Sequence, residues 1–172
     1  MLKVGGPTGL DALDRLDAAT LGARYAEGRV PASMRAVDGP LPGRMLAVIG
    51  LAAARAPLRG FASSAAFPWE GKTFRAADDL TGAGINRIRL PGLLGRQDLF
   101  PFHTRFGPSA VDGAPALILD YDLAVNPPWI RAIHDEIREV DPGLFLGPAM
   151  WKAASGPVTV LWFGLDARCA AP

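Results

Sequence analysis

From Ser63 onward the chain is cut into short apolar runs by turn-forming residues at roughly ten- to fifteen-residue intervals, and this rhythm constrains the fold more than any other feature. The runs Glu70–Arg75, Asn86–Leu90, Leu99–Phe106, Ala116–Leu123, His134–Val140, Leu144–Met150 and Val158–Leu165 read as strands. Between them stand Asp112-Gly113, Asp141-Pro142-Gly143 and Ser155-Gly156-Pro157, whose side chains favour tight turns. The Asp-Pro-Gly turn predicts a hairpin between the fifth and sixth runs. With 20 glycines and 16 prolines the chain favours many turns over long helices. The expectation is a single, mainly β domain: an antiparallel, lipocalin-like barrel over 63–172, preceded by a short helical region over 1–62. At 172 residues it buries enough apolar surface to hold a core without a disulfide or metal.

In the N-terminal region Thr8 is a candidate helix cap, with Asp11 reaching back. Leu10, Leu13 and Leu16 share one face, and Gly22 is the expected stop. Arg29 to Leu41, with Pro31, Pro40 and Asp38-Gly39, reads as a connection. A second helix is expected from Pro42 to Ala54, ended by Pro57. Its apolar core, Met45 to Ala54, lies between Arg44 and Arg55 and is far short of the ~20 residues a spanning helix needs. Asn126-Pro-Pro-Trp-Ile130 interrupts the strands and predicts a corner or short helix, because proline cannot donate to a ladder.

Several functions are disfavoured. Lys plus Arg number 18 and Asp plus Glu 17, so no overall field draws the chain to nucleic acid or anionic lipid. One cysteine, Cys169, excludes an internal disulfide and a multi-cysteine zinc site. The opening MLKVGGPTGL has no apolar signal core, so the expected location is the cytoplasm. Nucleophile elbow, phosphate loop and dinucleotide fingerprint are absent, and Ser109 reads as part of a turn. Neither cofactor nor metal is expected.

Polar residues inside strand-like runs are the candidates for chemistry. Phe102, Thr104 and Phe106 share a face opposite His103 and Arg105. In the next run Leu117, Leu119 and Tyr121 form the natural inward face. In the fifth run His134, Glu136 and Arg138 alternate with Asp135, Ile137 and Glu139, and neither side is cleanly apolar. Either it is a solvated face, or Glu136 and Arg138 pair in a cavity and hold a polar head. In the second case Tyr121, His134, Glu136 and Arg138 are the candidate catalytic residues, with Tyr121 donating to an oxyanion and His134 moving protons. Trp69, Lys72, Arg105 and Tyr121 are the candidate ligand-binding residues.

The segments Gly22-Ala-Arg-Tyr25-Ala-Glu-Gly28-Arg-Val-Pro31, Asp38-Gly39-Pro-Leu41 and Trp69-Glu-Gly71-Lys72-Thr-Phe74 resemble the bacterial GXWXG-domain proteins, which join such a short module to a C-terminal domain of unknown function. Tyr25 stands where that family has Trp, with one extra residue before Gly28. Leu119–Asp122 and Asp135–Arg138 are loosely similar to the family's C-terminal domain. The resemblance implies architecture and carries no activity with it.

The leading expectation is a barrel that holds one lipophilic small molecule. The alternative is a cofactor-free isomerase, cyclase or hydratase acting on a lipophilic substrate, which requires Lys72, Arg105, Tyr121, His134, Glu136 and Arg138 to converge. A third reading, a pure interaction or structural module, is favoured if the apolar helix over 45–54 is exposed and pairs the protein as a homodimer.

Overall fold

The computed structural model describes residues 9–49, 69–90 and 92–169. Eight strands, β1 (Gly39–Val48), β2 (Trp69–Ala76), β3 (Thr81–Arg89), β4 (Arg96–Pro108), β5 (Pro115–Asp120), β6 (Ile133–Asp141), β7 (Leu144–Ala153) and β8 (Gly156–Asp166), close into a barrel in sequence order. All neighbours are antiparallel, and β8 returns to β1 from Gly43↔Leu165 to Val48↔Leu161. Closure leaves no unpaired sheet edge. Asp141, Pro142 and Gly143, the last at φ 72°, make the predicted hairpin between β6 and β7. Asn126-Pro-Pro gives a short helix as expected.

Helices α1 (Leu10–Leu13), α2 (Ala18–Glu27) and α3 (Pro128–Arg131) accompany the barrel, with 3-10 turns at Met34–Val37, Gly92–Leu94 and Ala167–Cys169. Among the described residues no helix is long and apolar enough to cross a membrane. Phe74, Phe102, Leu117, Leu119, Ile137, Phe145, Phe163 and Leu165 fill the barrel, and Met34, Val37 and Leu41 join them. Strand parity works as read: Phe102 and Thr104 are buried while His103 and Arg105 are exposed, and Leu117, Leu119 and Tyr121 lie in the core. A second cluster lies outside the wall, where Leu13, Leu21 and Tyr25 pack on Leu144, Leu146 and Trp162. Because the helices cover that side, β7 is buried on both faces from Leu144 to Met150.

The structure corrects four expectations. Residues 42–48 are strand, not helix, while residues 50–54 lie outside the described residues. This apolar run imitates a buried helix because β1 is covered on both sides: Met45 packs against the barrel core, and Leu46 packs with the α1 and α2 cluster. The barrel thus draws its first strand from the region read as helical, and the helix that suggested a dimer is, over 45–48, a strand paired to β8. Gly22 does not stop a helix but sits inside α2, whose cap is Asp17, accepting from the Thr20 amide at 2.8 Å; Thr8 lies outside the described residues. Finally, Thr81 to Ile85 belongs to β3, so the strand begins before Asn86.

Candidate functional site

In a regular strand Trp69 and Lys72 would point to opposite faces. Strand β2 shifts register between Trp69 and Gly71. Gly71 adopts φ 127°, and a Cβ there would stand 2.1 Å from the Leu41 carbonyl oxygen. This bulge brings Trp69 and Lys72 to the same inner side, where both line one cavity. Asn86 reaches it from β3, Tyr121 from just beyond β5, and Asp135 from β6.

These side chains form a nearly closed hydrogen-bond circuit. Lys72 Nζ donates to Asn86 Oδ1 at 2.8 Å, Tyr121 Oη at 2.6 Å and Asp135 Oδ2 at 3.0 Å. Tyr121 donates its hydroxyl proton to Asp135 Oδ2 at 2.9 Å. Asn86 Nδ2 donates to Tyr121 Oη and to the Phe100 carbonyl, and Trp69 Nε1 donates to Asn86 Oδ1. Asp135 Oδ1 is buried and has no partner. Lys72 is 3% exposed, and the rings of Trp69, Phe102, Tyr121 and Phe163 surround its ammonium with centroids at 5.1 to 5.4 Å.

Burial pulls the Lys72 ammonium below the usual lysine range, and the Asp135 carboxylate opposes that pull. Three acceptors within 3.0 Å match the three protons of the ammonium form, so the geometry accommodates a charged pair. Burial, reinforced by the Asp135 charge, pushes the Tyr121 phenol well above its usual value. Tyr121 is therefore a neutral hydrogen-bonding group.

The cavity has a volume of about 50 Å³ and is walled by Met45, Trp69, Phe100, Ile133, Leu161 and Phe163 above the polar circuit. It lies at the barrel end where β1 finishes and β2 begins. Phe100 holds φ 59°, a conformation that costs an aromatic residue of order 1–3 kcal/mol, and its ring packs edge-on against Trp129 at 5.6 Å. Strain at a cavity rim is where a fold commonly spends stability on shape.

The other candidate residues lie elsewhere. His134, Glu136 and Arg138 occupy the outward parity of β6, so the cavity pairing expected for Glu136 and Arg138 is replaced by a clamp beneath α2. Glu136 accepts from Tyr25 at 2.7 Å and from the Ala110 amide at 2.6 Å, and its Oε1 lies 2.8 Å from His134 Nε2. Burial raises the Glu136 carboxyl, but bonds from His134, the Ala110 amide, Ser109 and Tyr25 bring it below the usual range. Arg138 is 1% exposed, holds Asp112 with two bonds at 2.7 and 2.6 Å, and stacks on Tyr25. Arg105 stands on the outer wall beside a surface hollow with Arg75 and His103. Of the residues singled out from sequence, only Trp69, Lys72 and Tyr121 meet in the cavity.

Sequence reading missed Asp135 and Asn86. Both signals were present: Asp135 shares parity with Ile137, and Asn86 with Ile88, each of which is buried. Among the described residues no group of three or more His, Cys, Asp or Glu is placed to hold a metal.

The fold and site define a closed eight-stranded antiparallel barrel with a buried Lys72–Asp135 pair, joined by Asn86 and Tyr121, in a largely apolar interior. No protein-family model matches the chain, and no curated protein matches it. A solved structure, that of a protein from Thermomonospora curvata, is similar over 91% of this chain and 91% of its own, with a TM-score of 0.56 and 19% identity. That likeness shows the shared fold.

Proposed function

We propose that the barrel binds one small lipophilic molecule, lipocalin-like, with its polar end at the Lys72, Tyr121, Asn86 and Asp135 circuit and its body among the apolar walls. The observation that carries this reading is an apolar cavity that ends on a buried, ordered polar cluster. Ligand sites commonly have this form, with apolar walls for affinity and a few placed polar groups for orientation. A volume of about 50 Å³ takes a head of a few heavy atoms, so a longer ligand extends past the rim.

The competing reading is a cofactor-free isomerase, cyclase or hydratase. Such chemistry stabilises a developing oxyanion with a free donor. Every N–H and O–H of Lys72, Asn86, Tyr121 and Trp69 in the circuit already has an acceptor, which favours binding over catalysis. Strand β2 suits a binding role, since Trp69 and Lys72 line the cavity and Gly71 supplies its bulge.

Native mass spectrometry of the purified protein, followed by organic extraction, tests the reading. A defined co-purifying small molecule that Ala149→Trp removes is the expected result, because Ala149 lines the cavity and an indole there fills it. An unliganded mass together with no uptake of added lipophiles would overturn it.

A further inference from the structure

We infer that a second site, separate from the cavity, lies on the outer wall of β2 to β5 and holds the phosphoryl group of a small phosphomonoester among Arg75, His103 and Arg105.

Strand register brings these groups together. Arg75 on β2, Ala83 on β3 and His103 on β4 stand side by side in one cross-strand row, and Thr81 faces Arg105 in the next. Neighbouring strands lie about 4.8 Å apart, so Arg75 and His103 are rooted about 10 Å apart with only the Ala83 methyl between them. Ala76, Ala77, Gly82 and Ala83 keep the floor low, and a hollow of about 530 Å³ opens above them. It falls in the ~300–1,000 Å³ range of small-molecule sites and exceeds the needs of a bare phosphate.

Free positive charge distinguishes this hollow from the rest of the surface. Nine of the described arginines bond a carboxylate, whereas Arg75 and Arg105 are among the four that do not. Carboxylates on these strands and their hairpin are engaged already. Asp120 accepts from the Asp122 amide and from Lys152, and Asp78 accepts from the Leu80 and Thr81 amides and the Thr81 hydroxyl.

Donor geometry then favours one class of anion. Each guanidinium presents a planar fork, and His103 offers a ring N–H in either tautomer. A phosphomonoester carries about −1.5 to −2 charges near neutrality and three acceptor oxygens, enough to engage both forks at once. A carboxylate, with one charge and two oxygens, leaves the second fork unmatched. The organic body of the ester rests on the alanine floor. Because Arg75, His103 and Arg105 are exposed, binding is weak and falls as salt rises.

The test titrates the isotopically labelled full chain at neutral pH and low salt with phenyl phosphate, inorganic phosphate and benzoate, following amide chemical shifts. Phenyl phosphate is expected to shift Thr81, Ala83, His103 and Arg105 and to bind about threefold or more tightly than either of the others. Arg75→Gln and Arg105→Gln should each weaken it by roughly threefold to fivefold, the worth of an exposed charge pair. Ala83→Glu, which sets a carboxylate in the hollow, should abolish it. Equal binding of benzoate overturns the phosphoryl assignment, and equal binding of inorganic phosphate overturns the ester. Absent or scattered shifts, or affinities that ignore both glutamine variants, overturn the site. Shifts centred on Asn86 and Tyr121 place the probe in the cavity and overturn the site while leaving cavity binding intact.

Discussion

Removing one member of the Lys72 and Asp135 pair should damage the fold far more than removing both. Lys72→Met leaves the Asp135 carboxylate, 3% exposed, with Tyr121 as its one remaining donor. Asp135→Leu leaves the Lys72 ammonium, equally buried, with two neutral acceptors. An uncompensated buried charge costs about 3–5 kcal/mol, so each single variant should lose that much. In the double variant Tyr121, Asn86 and Trp69 still bond one another through the Asn86 amide. The residual loss is then the Tyr121 proton without an acceptor, about 1–3 kcal/mol. The double variant should thus fall short of the sum of the singles by about 3 kcal/mol or more. Urea unfolding followed by circular dichroism measures all four corners of the cycle, and the coupling is read from their difference. Singles that each lose under about 1 kcal/mol, or whose losses simply add, would refute the claim that this pair is a buried, mutually dependent unit.

Two further predictions follow from the same geometry. The chain has 2 tyrosines, and burial raises the phenol of each above the ordinary 10.0, Tyr25 on the buried face of α2 and Tyr121 in the cavity circuit. The folded state therefore keeps protons that the unfolded chain loses, so this contribution to stability is present below pH 10 and is lost as pH rises beyond it. Tyrosinate absorbance should appear in one step coincident with alkaline unfolding; half the amplitude titrating near pH 10 while the barrel stays intact would show that one tyrosine is accessible. Gly71→Ala forces a methyl to 2.1 Å from the Leu41 carbonyl oxygen at φ 127°. It should cost about 2 kcal/mol or more and weaken ligand binding by misplacing Trp69 and Lys72; an unchanged melting temperature counts against the bulge.

Much of the fold was legible because a strand pattern depends on neighbours two residues apart. Alternation placed Leu117, Leu119 and Tyr121 inward, and Asp141-Pro142-Gly143 marked its hairpin without reference to distant residues. The apolar run at 45–48 was misread because a strand covered on both faces loses its alternation, and only the α1 and α2 packing supplies the second cover. The site was half legible. Trp69, Lys72 and Tyr121 stood out as unusual residue types in strand-like runs, while Glu136 and Arg138 drew attention from Asp135.

The sequence by itself determined an antiparallel β architecture, its turns, and the parity within each regular strand, since all three depend on local spacing and backbone chemistry, whereas closure rests on β1, whose pairing to both β2 and β8 is tertiary. Which parity of β6 faces inward was decided only when β5 and β7 fixed its register and α2 took the opposite face. Local pattern could not choose between Asp135 with Ile137 and Glu136 with Arg138, because both faces carry charge and both become buried. The bulge at Gly71 is likewise a tertiary decision, since one extra residue in β2 has meaning only against the register of β3.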